Sequence, residues 1–139
     1  MTEDDVRNVQ ASFAQLQSRA NQFGATFYER LFITHPQVRS LFPEDIAPQS
    51  KKLVQMLSLV ANSLHEFDAV LPAVQVLARR HVGYGVKEEH YAIVGDTLLW
   101  TLAHCLGPAF TEEVKCAWSV AYAALSNAMI AASADAVSQ

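Results

Sequence analysis

The sequence has few cysteines, few charged residues and few prolines or glycines. Only two of its 139 residues are cysteine, Cys105 and Cys116, and both fall inside helical patterns, which argues against a disulfide framework. Charged residues make up 17% of the chain and hydrophobic residues 51%. Such a balance indicates either little surface to solvate or an interior that surrounds an apolar group.

The charge pattern excludes several classes of protein. The net charge is −4 and no cluster of basic residues occurs, so we expect no nucleic-acid binding. The acidic segment Thr2–Asp5 stands where a signal peptide would be basic, and no apolar run approaches the roughly 20 residues that span a membrane. The sequence therefore predicts a cytoplasmic protein that does not act at a membrane.

Apolar residues recur at intervals of three and four along almost the whole sequence, and no strict alternation is long enough for a strand. The pattern predicts an all-α protein of about six to eight helices. No linker or repeat divides the sequence, so we expect one domain over residues 1–139, with a frayed tail from about residue 134.

Helix ends are predicted from capping residues. Thr2 is expected to cap the first helix, whose apolar stripe runs from Val6 to Phe23 without an obvious stop at Gly24. Asp68 is expected to cap a later helix, with Pro72 close to its start.

The segment RRHVGYGV (79–86) places His81 on the apolar face of its helix, one turn after Leu77. A histidine there can be a core residue satisfied by a neighbour, which is the more common outcome. It can also donate one ring N–H to a backbone carbonyl and bind a metal through the other nitrogen. The pattern alone leaves both possibilities open.

Other catalytic motifs are missing. The remaining histidines form no pair at i and i+4 that would indicate a zinc site, and no C-x-x-C-H motif attaches a haem covalently. The sequence also has no glycine-rich phosphate loop and no nucleophile elbow.

The sequence resembles the bacterial single-domain globins, and in particular the globin domain of flavohaemoglobins. The resemblance extends from about Val6 to about Ile130. It is carried by six ordered blocks: FYERLF (27–32), HPQVRSLF (35–42), QSKKL (49–53), LPAVQVLARRHVGYGV (71–86), HYAIVGDTLLWTL (90–102) and AWSVAYAAL (117–125).

The resemblance implies a globin fold around a non-covalent haem b. His81 matches the family's proximal histidine, the axial ligand of the iron, and Phe42 matches the aromatic residue that contacts the porphyrin. Val86 is expected to pack against the porphyrin edge. Arg80, or Arg79 beside it, is a candidate to pair with a haem propionate, and solvated helix charge is the alternative role for each.

On the other side of the haem, the resemblance implies a ligand pocket. Tyr28 matches the family's distal tyrosine, Gln49 stands where vertebrate oxygen carriers have a histidine, and Leu53 is the neighbouring apolar residue. A phenol and an amide suit a ligand that gains negative charge on binding, as dioxygen does. Because glutamine does not ligate iron as histidine can, we expect a five-coordinate haem.

On the proximal side, the sequence departs from the flavohaemoglobin pattern. Tyr91 matches the tyrosine of the family's proximal network, but Ser133 stands where the glutamate is expected, so electron donation to the histidine should be weaker. No flavin- or nicotinamide-binding region follows within the 139 residues, so turnover would need a separate reductase.

The resemblance leaves several functions open. The favoured function is reversible dioxygen binding, for storage or transport, with nitric oxide and carbon monoxide as further ligands. The alternative is an enzyme, a nitric oxide dioxygenase that works with a reductase. A gas sensor or a haem-free interaction module is less favoured, because such a module would not need His81, Phe42, Tyr28 and Gln49.

Overall fold

A computed structural model describes the backbone of residues 2–42, 44–83 and 88–138. Within these ranges, the side chains of residues 65, 67–70, 81–83, 88 and 133–138 lie outside the described part. The predicted roles of the His81 and Ser133 side chains and of Val86 therefore fall outside the described residues, and the fraying of the tail stays a prediction.

The all-α prediction is confirmed. The described residues form six α-helices and four short 3₁₀ segments, and they contain no strand. The α-helices are α1 (Glu3–Leu16), α2 (Ala20–Thr34), α3 (Ala47–Asn62), α4 (Phe67–Gly83), α5 (Glu88–Leu106) and α6 (Glu112–Ser138). The 3₁₀ segments are Gln17–Arg19, Pro36–Leu41, Leu64–Glu66 and Gly107–Ala109.

The start of α1 follows the capping prediction, but its end does not. The Thr2 hydroxyl accepts a hydrogen bond from the Asp5 backbone N–H, and the Asp5 carboxylate accepts one from the Thr2 N–H, which completes a capping box. The apolar stripe predicted to continue to Phe23 is interrupted by the 3₁₀ turn Gln17–Arg19. This turn lets the chain change direction, because α1 packs mainly on α6 whereas α2 packs on α3 and α5.

The start of α4 differs from the capping prediction. This helix begins at Phe67, so Asp68 lies inside its first turn, and Pro72 lies within the helix instead of at its first position. The 3₁₀ segment Leu64–Glu66 ends directly before α4. The chain is therefore already helical where α4 begins, and this short segment takes the place of a capping residue.

The core contains one buried polar contact that joins the ends of the fold. The Trp118 indole N–H on α6 donates to the Ser12 hydroxyl on α1 at 2.8 Å, and the Phe13 ring lies 6.1 Å from the Trp118 ring. Ser12 in turn donates to the Asn8 and Val9 carbonyls of its own helix. The buried indole nitrogen is therefore satisfied, and α1 is held against α6 behind the cavity described next.

Candidate functional site

A cavity of about 320 Å³ lies between the helices. A volume of this size falls at the lower end of the range of ligand sites, about 300–1,000 Å³. Its walls come from five helices and from the segment between α2 and α3, and most of the lining side chains are apolar. The lining residues are Phe27, Tyr28, Leu31, Val38, Leu41, Phe42, Gln49, Lys52, Leu53, Met56, Leu57, Leu77, His90, Tyr91, Ile93, Val94, Leu98, Tyr122, Leu125, Ser126 and Met129.

One wall of the cavity holds a phenol and an amide in contact. Tyr28 on α2 is only 5% exposed, and burial raises the pKa of its hydroxyl to about 12, although a hydrogen bond with the Gln49 side chain on α3 lowers it. A phenol and an amide can each donate or accept, so the pair can be arranged with the Gln49 amide as donor to the Tyr28 oxygen. In that arrangement the Tyr28 O–H donates to another acceptor.

A close helix crossing brings these two side chains together. Gly24 on α2 lies directly against Ser50 on α3, and a Cβ atom at position 24 would stand 2.8 Å from the Ser50 Cβ atom. Tyr28 follows Gly24 by four residues and Gln49 precedes Ser50 by one, so the crossing sets the distance between the two side chains. Only glycine permits this approach without displacing α3.

Phe42 lies on the same side of the cavity as part of an aromatic cluster. Its ring meets the Tyr28 ring edge-on at 5.5 Å and the Phe32 ring at 5.4 Å. The Arg39 guanidinium lies 4.9 Å from the centre of the Phe32 ring, and this side chain also donates to the Phe42 carbonyl. These contacts fix Phe42 at the end of the 3₁₀ segment, where it faces the cavity.

A second glycine supports the part of the cavity wall that α5 and α6 form. The Tyr122 ring on α6 lies over Gly95 on α5, where an added Cβ atom would stand 2.7 Å from a ring carbon. The Tyr122 hydroxyl donates to the Tyr91 carbonyl at 2.7 Å. Burial, followed by the nearby Tyr91 and Asp96, raises the pKa of Tyr122, so this hydroxyl keeps its proton and its role as donor. The first turn of α5, which carries Tyr91 into the cavity wall, is thereby tied to α6.

The structure brings most of the predicted site residues together. The residues Tyr28, Phe42, Gln49, Leu53 and Tyr91 all line the one cavity.

Two predicted positions on α4 stay predictions. Arg80 is exposed and is not among the cavity-lining residues, so its predicted contact with a propionate stays a prediction. The His81 backbone lies in α4, four residues after Leu77, which does line the cavity.

Four residues that support the cavity were not predicted as site residues. Gly24 and Gly95 permit close packing, Tyr122 anchors α5, and Lys52 lines the cavity as a charged residue. A glycine inside a strong helical pattern is a sequence signal for close approach, and it could have indicated the first two. Nothing in the sequence indicates that Tyr122 meets the Tyr91 carbonyl, because the two positions lie on different helices.

A match to a family model and close structural neighbours identify the chain. Residues 25–129 match the family model described as Globin. The solved structure of a bacterial globin from Campylobacter jejuni has a TM-score of 0.91, with 27% identity over 99% of this chain and 100% of that chain. An engineered carbene transferase from Rhodothermus marinus, described as a proposed nitric oxide dioxygenase, has a TM-score of 0.90, with 30% identity over 99% of this chain and 96% of that chain.

Curated relatives agree with these matches. The flavohemoprotein of Bordetella parapertussis is 33% identical over 125 residues, which cover 88% of this chain and 31% of the relative. A globin-like protein of Aquifex aeolicus is 31% identical over 130 residues, covering 94% of this chain and 92% of that protein. The chain thus spans about a third of the length of the flavohemoproteins that it matches. The chain belongs to the globin family, and the family implies haem binding.

The described residues fit a haem group. The cavity walls are mainly apolar, as a porphyrin requires, and the phenol and amide lie on one wall. The described residues contain no group of three or more histidine, cysteine, aspartate or glutamate side chains that would hold a bare metal ion. None of the helices in the described part of the chain is long and apolar enough to cross a bilayer.

Proposed function

We propose that the chain binds haem b in this cavity and reversibly binds dioxygen there. His81 would bind the iron, Phe42 and Leu53 would contact the porphyrin, and Tyr28 and Gln49 would form the distal wall. The bound haem supplies an iron atom that binds diatomic gases, including nitric oxide and carbon monoxide. The observation that carries the proposal is the contact between Gln49 and Tyr28 on one wall of a cavity lined mainly by apolar side chains.

The distal pair acts as a short chain of hydrogen bonds. In this proposal Gln49 donates to the Tyr28 oxygen, which would increase the acidity of the phenol and strengthen the hydrogen bond that its O–H makes. Because burial holds the pKa of Tyr28 at about 12, the phenol remains protonated at neutral pH and stays a donor. A ligand that gains negative charge is stabilised by such a donor in a site that excludes water.

The proximal residues complete the proposed site. His81 follows the cavity-lining Leu77 by one helical turn, and in this proposal its ring N–H would donate to the Leu77 carbonyl. Because Gln49 does not ligate iron as a histidine does, we propose a five-coordinate ferrous haem. Val86 packs against the porphyrin in this proposal.

The decisive experiment measures the release of dioxygen and of carbon monoxide from the wild-type protein, Tyr28→Phe and Gln49→Leu. A hydrogen bond to a charged group contributes about 1.5–3 kcal/mol, so Tyr28→Phe should release dioxygen about 10- to 150-fold faster. Carbon monoxide gains little charge on binding and provides the control, since its release should change much less. Release of dioxygen within about twofold of wild type in Tyr28→Phe would refute the proposed role of the phenol.

The double variant tests whether Gln49 acts through Tyr28. If the amide works mainly by polarising the phenol, Gln49→Leu should have little further effect once Tyr28 is phenylalanine, so the two effects should not add. Fully additive effects would show that Gln49 is an independent donor. Loss of the Soret band in His81→Ala, with its retention in the control variant Lys51→Ala, whose lysine is exposed and does not line the cavity, tests the proposed iron ligand.

One observation supports an alternative, nitric oxide dioxygenase activity. A structural neighbour that shares 30% identity across nearly the whole chain is described as a proposed nitric oxide dioxygenase. This reaction joins nitric oxide and dioxygen and takes up one electron to give one nitrate ion, so it needs a reductase. Steady-state consumption of nitric oxide with a generic flavin reductase distinguishes the two functions, because a binding protein should react about once per haem and then stop.

A further inference from the structure

The outward face of α5 carries an exposed tryptophan that its neighbours hold in one orientation. Trp100 is 36% exposed, and its ring stacks on the His104 ring, with the two ring centres 5.0 Å apart and the planes 8° apart. The Arg30 guanidinium of α2 lies 4.4 Å from the centre of the same indole. Because these contacts already fix the ring, it loses little side-chain freedom when another molecule packs against it. Tryptophan is also enriched among the residues that dominate the energy of protein interfaces.

Ile33 extends this apolar surface onto α2. It is 69% exposed, the largest exposed fraction among the large apolar side chains that the structure describes. It follows Arg30 by three residues and so lies on the same side of α2, which means that Ile33 and Trp100 flank the same arginine. Exposed apolar side chains that lie together, unlike single ones, mark a surface that contacts another molecule.

Trp100 lies midway between an acidic and a basic side chain on α5. Asp96 precedes it by four residues and His104 follows it by four, so the three exposed side chains form one row along the helix. Within the described part of the chain, no ion pair involves Asp96 or His104. Stacking uses the face of the imidazole and leaves a ring N–H at its edge that can donate to a carboxylate. The row therefore has an acceptor at one end, a donor at the other and an apolar ring between them.

Such a row is complementary to a second copy of itself in the reverse direction. If two α5 helices lie antiparallel with a twofold axis at Trp100, Asp96 of one copy meets His104 of the other, and symmetry makes this contact occur twice. Rows of residues four apart become parallel when two helices cross at about 50°, the commonest packing angle of helices in globular proteins. We propose that the protein forms a homodimer through α5, with the two Trp100 rings at the twofold axis and an Asp96–His104 hydrogen bond on each side.

The mixture of charges on this surface favours a second copy as the occupant. A strongly acidic partner would be repelled by Asp96 and a strongly basic one by Arg30, whereas a reversed second copy places each end of the row opposite its complement. The inference is independent of gas binding, because α5 lines the cavity with its other face, through residues such as Tyr91 and Leu98. The dimer contact therefore leaves the cavity lining as described.

The test measures the dimer dissociation constant of the purified full chain by sedimentation equilibrium. The variants are Asp96→Lys, His104→Glu and the double variant Asp96→Lys/His104→Glu. Each single variant removes one partner of an exposed contact that occurs twice and brings like or unpaired charges together, so the dissociation constant should rise about 3- to 30-fold. The double variant exchanges the two ends of the row and should return the constant to within about threefold of wild type.

A matched control carries the same charge change away from the row. Glu89 is an exposed acid near the start of α5, seven residues before Asp96, and Glu89→Lys should change the dissociation constant by less than about twofold at physiological salt. Trp100→Ala removes the central ring from both copies and should weaken the dimer by about 30-fold or more. Circular dichroism of each variant checks that the helical fold is retained.

The charge variants decide the arrangement and the tryptophan variant decides the surface. A wild-type chain that stays monomeric at the highest concentration, or a dimer that Trp100→Ala leaves unchanged, would overturn the inference. A double variant that dimerises as weakly as the single variants would overturn it as well, because opposite ends of the row would then not meet. None of these results bears on whether the chain binds haem and dioxygen.

Discussion

The crossing of α2 and α3 should determine both the free energy of unfolding and the distance between the Tyr28 and Gln49 side chains. The substitution Gly24→Ala tests this directly. The new Cβ atom would stand 2.8 Å from the Ser50 Cβ atom, 3.2 Å from its Oγ atom and 3.3 Å from its Cα atom. The first of these distances is shorter than carbon atoms tolerate, so α2 and α3 must move apart. That movement separates Tyr28 from Gln49.

The expected change in the free energy of unfolding is a balance of two effects. Overpacking of this kind costs about 1–3 kcal/mol. Alanine is the better helix former, by about 1 kcal/mol over glycine inside a helix. Gly24→Ala should therefore destabilise the protein by about 0–2 kcal/mol instead of stabilising it, as the same change would at an open helical position.

A double-mutant cycle isolates the contact. In a Ser50→Gly background the Cβ and Oγ atoms are gone, and Gly24→Ala should become neutral or stabilising, which gives a coupling energy of about 1–3 kcal/mol. Ser50→Ala is the matched control, because it removes the hydroxyl but keeps the Cβ atom and should give no rescue. Urea unfolding followed by circular dichroism measures all the variants.

The same variants connect packing to ligand binding. In haem-loaded protein, Gly24→Ala should release dioxygen faster, towards the rate of Gln49→Leu, and the Ser50→Gly background should reverse part of this change. A coupling energy below about 0.5 kcal/mol, the level at which independent sites simply add, would refute the reasoning.

Two further predictions follow from the tyrosines. Because the pKa of Tyr28 is raised from 10.0 to about 12, the unfolded chain loses this proton first as the pH rises. The free energy of unfolding should therefore fall between about pH 10 and pH 12, and Tyr28→Phe should reduce this fall in alkaline urea titrations; an unchanged pH profile would contradict the burial of the phenol. Tyr122→Phe removes the donor to the Tyr91 carbonyl and should lower the free energy of unfolding by about 0.5–1.5 kcal/mol. Wild-type stability in Tyr122→Phe by the same urea assay would show that this bond does not anchor α5.

The sequence predicted the helices well where a local signal marks their ends. Thr2 supplies the capping box at α1 that the sequence predicts. Local hydrogen bonds of this kind depend on neighbours three residues apart, so the sequence contains all the information. The starts of α2 and α4 were predicted less well, because short 3₁₀ segments lead into these helices without such a cap.

The candidate site was predicted mainly through ordered motifs. Tyr28, Gln49 and Phe42 were singled out by their place in these motifs, and the structure brings all three to one cavity. Arg80 was singled out by its charge beside His81; its side chain is exposed, and its pairing with a propionate stays a prediction. The charge of a residue and its position next to a histidine do not specify which way its side chain points, because residues one position apart on a helix lie about 100° apart around its axis.

The amino-acid pattern by itself determined the helical class and the face that each helix buries, because both depend on spacings of three and four residues. The tertiary structure alone decided which residues from separate helices meet. The Gly24–Ser50 crossing, the Tyr122 bond to the Tyr91 carbonyl and the position of Lys52 on the cavity wall all join or face elements that are distant in sequence. Such contacts follow from the angles and separations at which whole helices pack, and these depend on the shapes of many side chains at once.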